Sequence, residues 1–213
     1  MECRTMQLKI LSLGPIGTNC YIVSKNNECL IFDPGAQPEI VNEYITENNL
    51  KPIAILLTHA HFDHIGAVDE LRKKYNIDVY LHEAESDWLE DPHLNRSSLF
   101  FGEANAIKTD KPDKYITVGK WELGNFQFEV VHTPGHSPGS VSYIFHDERF
   151  VICGDTLFKQ GIGRTDLPEG SFQQLMESIF TKLYTLDDDF SVYPGHGPHT
   201  TIGTEKFENP FTI

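Results

Sequence analysis

The chain has 213 residues, 39% hydrophobic and 23% charged, with 17 basic against 31 acidic side chains and a formal net charge of −14. That composition excludes a disordered chain. It also argues against a nucleic-acid partner, because phosphate recognition needs a basic face. The length is that of one domain with a substantial core, so a single domain over residues 1–213 is expected. No run approaches the roughly 18 apolar residues that cross a bilayer. The start MECRTMQLKI lacks the apolar stretch of a signal peptide, so a cytoplasmic location and no membrane partner are expected. Cys3, Cys20, Cys29 and Cys153 are scattered without a C-x-x-C pair, as reduced thiols are.

The first half opens with short β-rich runs at residues 8–13, 20–24 and 29–32, read as an antiparallel meander that ends at Asp33-Pro34-Gly35. Residues 38–48 carry Ile40, Val41, Tyr44 and Ile45 at helical spacing. The solid apolar run of residues 53–57 reads as a strand buried on both faces. An amphipathic helix is expected over 65–75 and a strand over 79–81. A loop-rich insertion through residue 110 follows, long enough to cover a site. The second half repeats the β-then-α order, with strands expected at 115–118, 126–131, 140–145 and 150–153 and a turn at Asp147-Glu148. A helix over 171–184, capped by Ser171, then precedes a strand at 191–193. Two β-rich halves, each with helices for an outer face, imply an α/β chain (α+β in some schemes) built as a four-layer αββα sandwich.

The chemistry is concentrated where the buried strand at 53–57 gives way to His59-Ala60-His61-Phe62-Asp63-His64. His59 and His61 lie two apart, so extended backbone points them to the same side, and Asp63 and His64 follow as the chain turns into its helix. Three imidazoles and a carboxylate in six residues are hard to sustain without a metal. Clustered imidazolium ions repel, and clustered neutral rings need many hydrogen-bond partners. Three more polar residues stand at strand ends beside Gly or Pro: His136 in Thr133-Pro134-Gly135-His136, Asp155 in Gly154-Asp155-Thr156, and His196 in Pro194-Gly195-His196-Gly197. Glycine permits the tight backbone that such ligand-bearing turns require.

In this order and spacing the set resembles the metallo-β-lactamase superfamily over nearly the whole chain, and the resemblance implies its fold. It further implies that His59, His61 and His136 hold one metal, that Asp63, His64 and His196 hold a second, and that Asp155 bridges them. Zinc is the first expectation for the two divalent cations, with iron or manganese as alternatives. Two such cations roughly 3.5–4 Å apart lower the pKa of a shared water toward about 7 and polarise the bond to be attacked. The resemblance thus implies that Asp63 and Asp155 would be the catalytic carboxylates beside a metal-bound hydroxide. Because they offset only two of the four positive charges, the site would stay locally cationic and draw anionic substrates.

Within the family, the stretch Gly154-Asp155-Thr156-Leu157-Phe158, with Gly161 through Pro168 and the end around Pro194 to Phe211, is similar to the glyoxalase II-related hydroxyacylglutathione hydrolases in their short bacterial form. That implies a metal-dependent thioester hydrolase acting on an S-acylglutathione-type small molecule. The sequence departs from full-length glyoxalase II by ending at Ile213 and by reading Gly-His-Gly-Pro at 195–198. The usual glutathione contacts are absent, which leaves the thiol carrier open. Antibiotic hydrolysis is disfavoured, because the true β-lactamases are secreted and many carry Cys where Asp155 stands. Arg164 is a candidate substrate contact, since guanidinium matches a carboxylate in bidentate fashion; a salt bridge to Asp166 is its competing role. Cys153 reads as a small core residue. Gly135-His136-Ser137-Pro138-Gly139 matches the G-x-S-x-G elbow, yet Pro138-Gly139 leads into a strand where that elbow needs a helix. The rival oxidoreductase is a mononuclear iron persulfide dioxygenase, which the metal motif and Gly163-Arg164-Thr165-Asp166 also resemble, and for which two His and one carboxylate suffice. Against it stands the complete second ligand set of Asp63, His64 and His196. A non-catalytic metal-binding protein is disfavoured by the open coordination position that the ligand count implies. Oligomeric state is not legible.

Overall fold

A computed structural model of the chain describes residues 5–213, which leaves Cys3 outside the described residues. The chain divides into two compact units, one running from the amino terminus through Ile116 with Leu123–Phe126, the other comprising Thr117–Glu122 and Gln127–Ile213.

In the first unit, β1 (Gln7–Leu13), β2 (Thr18–Lys25) and β3 (Glu28–Phe32) form the expected antiparallel meander. Beyond it the sheet turns parallel, with β4 (Lys51–Leu56), β5 (Asp78–His82) and β6 (Lys114–Ile116) added in chain order. Parallel neighbours need a crossover, and the apolar helical stripes supply it. Helix α1 (Pro38–Glu47) buries Val41 and Ile45 between β3 and β4, and α3 (Val68–Tyr75) buries Val68 and Leu71 between β4 and β5. These side chains share one core with Ile22, Ile31, Ile55, Leu57, Val79 and Leu81, alternate positions as the two-residue period of a strand requires. The intervening Tyr21, Leu30, Ala54 and Leu56 are buried as well, so these central strands are covered on both faces.

The second unit carries a six-stranded sheet in the order β14-β13-β10-β9-β8-β7. Its strands are β7 (Gly119–Leu123), β8 (Phe126–His132), β9 (Val141–Phe145), β10 (Phe150–Gly154), β13 (Ser191–Pro194) and β14 (Thr200–Thr201). A separate hairpin joins β11 (Leu157–Phe158) to β12 (Gly161–Ile162). Leu175 of α5 (Phe172–Ser178) and Ile202 of α6 (Ile202–Glu208) pack into a core with Ile144, Val151, Cys153 and Val192. Ser171 caps α5 as expected, accepting the Gln174 N–H at 3.3 Å.

Three differences from the sequence reading have physical causes. The helix expected over 65–75 is two pieces, α2 (Phe62–Ile65) and α3, because Gly66 and Ala67 lie against the Asp33-Pro34-Gly35 turn. The Ala67 N–H donates to the Pro34 carbonyl at 2.9 Å, and a β-carbon on Gly66 would sit 2.3 Å from the Gly35 carbonyl oxygen. Strand β7 was not foreseen, since Gly-Lys-Trp-Glu-Leu lies half out of the core at the sheet's edge and carries little apolar signal. Helix α6 hides behind Gly203 and two threonines, although Thr201 caps it by accepting the Thr204 N–H at 3.1 Å. The insertion at 83–110 contains a 3₁₀ turn at Glu83–Trp88 and a short helix α4 (Ser97–Phe101). No described helix is long and apolar enough to cross a membrane.

Ile55 is fully buried at the centre of the first unit's sheet. Ile55→Ala is expected to destabilise the metal-free protein by about 2–5 kcal/mol through lost burial and the cavity left behind. Denaturant titration should show this as a lower midpoint with an unchanged slope.

Candidate metal centre

The motif at 59–64 begins where β4 ends, so a buried parallel strand delivers it. His59, His61 and His64 are all buried. The His59 ring lies 4.8 Å from that of His61 and 4.1 Å from that of His64, measured between centroids. The i, i+2 pair therefore shares a side, as expected from extended backbone. Asp63 accepts the Thr18 hydroxyl at 2.8 Å, and its Oδ2 is 3.3 Å from His64 Nε2.

What fixes these rings is Asp33, which the sequence reading treated only as part of a turn. Its carboxylate is buried and accepts the Thr58 N–H at 2.7 Å and the Thr58 hydroxyl at 2.6 Å. The same oxygen that takes the hydroxyl lies 3.0 Å from His64 Nδ1. Having given its proton to Asp33, the Thr58 oxygen accepts from His59 Nδ1 at 3.1 Å. Both rings thus carry their proton on Nδ1, which leaves the lone pair on Nε2 in the neutral imidazole. Gly35 makes the arrangement sterically feasible, since a β-carbon there would sit 1.5 Å from the Asp63 carbonyl oxygen.

The second unit repeats the logic. His136 Nδ1 donates to the Arg164 carbonyl at 2.9 Å, again directing the lone pair to Nε2, which lies 3.5 Å from Asp155 Oδ2. His196 Nε2 lies 3.6 Å from the same Asp155 oxygen. Asp155 therefore stands between two imidazoles, as a bridging carboxylate would. Gly163 lets the loop close over this cluster: a β-carbon would lie 1.8 Å from the Asp155 carbonyl oxygen and 3.2 Å from the His136 β-carbon.

In each unit an imidazole whose Nδ1 is already held by oxygen points its Nε2 at a carboxylate oxygen, 3.3 Å away for His64 and Asp63 and 3.5 Å away for His136 and Asp155. Two acceptors facing one another repel, and a divalent cation between them converts the repulsion into coordination. Mixed imidazole nitrogen and carboxylate oxygen is the donor set that zinc-type cations take. Each set on its own therefore fits such an ion.

Other candidates resolve differently. The Arg164 side chain makes a bidentate ion pair with Asp166 at 2.8 and 2.9 Å, and its guanidinium holds the Asp166 carboxyl down at about 2. The residue thus touches the site through its backbone carbonyl on His136. Ser137 is buried, lies 2.7 Å from the Ser140 hydroxyl and precedes β9, so the elbow-like motif lacks both the exposure and the helix of a serine nucleophile. Burial pushes the Cys153 thiol up to about 12, which makes it a core residue without nucleophilic thiolate. Asp33 had one signal in the sequence, a carboxylate at a strand end before Pro-Gly, the setting that also marks the other ligand turns. The Arg164 carbonyl had none.

Residues 13–196 match the family described as the Metallo-beta-lactamase superfamily. The chain is 50% identical over 208 residues to the probable metallo-hydrolase YqgX of Bacillus subtilis, covering 97% of each chain. It is 36% identical over 209 residues to the hydroxyacylglutathione hydrolase GloC of Haemophilus influenzae, covering 97% of this chain and 98% of that one. Among solved structures it superposes on the BLEG-1 B3 metallo-beta-lactamase with a TM-score of 0.94 at 47% identity, covering 97% and 100% of the two chains. For TTHA1623 in a di-iron-bound form the values are 0.85 and 37%, with coverage of 95% and 99%. For ETHE1 from Myxococcus xanthus they are 0.77 and 28%, with coverage of 96% and 84%.

Asp33→Asn would present an amide N–H to His64 Nδ1 and drive the ring proton to Nε2, away from ligation. The expected result is a loss of zinc affinity of about 10–100-fold, the range for removing a ligand's outer partner. Competition against a chromophoric chelator measures it.

Proposed function

Because this chain belongs to the metallo-β-lactamase superfamily and has its fold, we propose that it is a dinuclear metal-dependent hydrolase of small-molecule thioesters of the S-acylglutathione type. The observation that supports this most is the locking of His59, His64 and His136, each with Nδ1 held by oxygen and its lone pair thereby directed to Nε2. In this reading the chain holds two divalent cations. His59, His61 and His136 hold the first, Asp63, His64 and His196 hold the second, and Asp155 bridges them. Zinc is the first choice; the di-iron form of TTHA1623 supports iron as an alternative.

When bound, the cations supply a hydroxide at neutral pH and a Lewis acid for the acyl carbonyl. The chain's own groups orient and exclude. The Thr18 hydroxyl anchors Asp63 in one rotamer, so that its carboxylate keeps a fixed direction. Asp155, 11% exposed between His136 and His196, is sheltered enough to act in a low-dielectric setting where charge counts for more than in water. A thiolate is a good leaving group, which suits a site in which no described serine or cysteine is placed as a nucleophile or proton donor.

The thioester class is supported by the likeness to GloC across 97% of this chain. The likeness to BLEG-1 supports one second reading, opening of a β-lactam amide by the same residues. ETHE1 is a more distant neighbour at 28% identity, and the complete second ligand set favours hydrolysis over single-iron chemistry.

Purified protein loaded with zinc is expected to release free thiol and carboxylic acid from S-acylglutathione thioesters, to lose this on chelation and to regain it on readdition of metal. Asp155→Ala should lower kcat/KM by more than about 100-fold, beyond what loss of an outer partner costs. Oxygen uptake on a persulfide with one equivalent of iron would overturn the reaction class, and faster turnover of a chromogenic cephalosporin than of any thioester would favour the second reading.

A further inference from the structure

The insertion at residues 83–110 has no part in the ligand set, yet it touches each residue between His59 and Asp63. The Ala60 N–H donates to Glu85 Oε2 at 2.6 Å. The His61 ring packs on Trp88, with centroids 5.6 Å apart, and Arg96 covers the Trp88 ring at 5.3 Å. The Phe62 N–H donates to the Asn95 carbonyl at 2.9 Å, and the Phe62 ring packs on Phe100 and Phe101 at 4.9 and 5.1 Å. The insertion is itself pinned, because Asn95 Nδ2 donates to the Ile107 carbonyl at 2.9 Å and the Ile107 N–H to the Ser97 hydroxyl at 2.9 Å.

Glu85 is the unexpected member of this group. It is fully buried, and burying a carboxylate is costly unless a compensating charge or donor set repays it. Its bond to the Ala60 N–H holds the one residue between His59 and His61, and so the extended backbone that puts both rings on one side. Its charge also completes a balance. Asp63 and Asp155 offset two of the four positive charges of a divalent pair, and the buried carboxylates of Asp33 and Glu85 supply two more. The sequence reading of a locally cationic site counted only the first two.

We propose that Glu85 is a positioning residue for the metal centre, holding the His59–His61 backbone in register and helping to neutralise the bound cations, and that the 83–110 insertion is the brace that carries it. This rests on the metal-dependent reading given above, and the two can fail separately. Glu85→Gln preserves shape and an acceptor for Ala60 but removes the charge. In the full-length chain, competition with a chelator should show zinc affinity falling about 10–100-fold. The melting temperature of the metal-free protein should stay in place or rise, while that of the zinc-loaded protein falls, as linkage requires when only the bound state is weakened. Equal losses of melting temperature with and without zinc would assign Glu85 a purely structural role and overturn the proposal, as would wild-type zinc affinity in the variant. Failure of the wild-type chain to bind zinc, iron or manganese would instead remove the metal-dependent reading itself. Should Glu85→Gln not fold, amide exchange in the wild type decides: the Ala60 N–H is expected to be protected and to exchange more slowly once zinc is bound, and fast exchange in the loaded protein would overturn the proposal.

Discussion

The structure depends on the orientation of imidazole rings by oxygen atoms that are not themselves ligands. A neutral histidine offers one lone pair, and which nitrogen carries it is set by what the other nitrogen donates to. Here a carboxylate, a hydroxyl and a backbone carbonyl make that choice for His64, His59 and His136. Two of those three determinants sit at the ends of neighbouring parallel strands, Asp33 after β3 and Thr58 after β4. The sheet therefore does more than carry the motif. Its register sets the hydrogen bonds that decide how the motif can be used.

Glycine and acidic residues then do complementary work around this core. Gly35 and Gly163 admit backbone so close to Asp63 and Asp155 that any side chain would collide with a carbonyl oxygen. The buried carboxylates of Asp33 and Glu85 hold amide and hydroxyl donors of the strand end and of the motif. Close approach and buried negative charge both cost stability in a metal-free protein. The charge cost is offset when a cation is present, which is a physical reason to expect metal binding and the stability of the motif to be coupled.

Much of this was legible in the sequence, and the reasons are particular. The antiparallel meander, the buried strand before the motif and the Ser171-capped helix each rest on local periodicity or a cap, which a sequence carries openly. The candidate ligand residues stand out in the sequence because histidine and aspartate at Gly-flanked strand ends have few other uses. The edge strand β7 and the short helix α6 were not, because polar, half-exposed elements carry little apolar signal. Asp33, Thr58 and Glu85 were missed for a different reason. Their partners lie 25 to 31 residues away, and only the folded sheet and the insertion bring them together. The Arg164 carbonyl is a backbone atom, whose role no side-chain identity encodes.

The most direct test of the central claim is anomalous diffraction from zinc-loaded crystals of the wild-type chain. The account predicts two peaks about 3.5–4 Å apart, one bounded by His59, His61 and His136, the other by Asp63, His64 and His196, with Asp155 touching both. A single peak, or two peaks held by other residues, would contradict it.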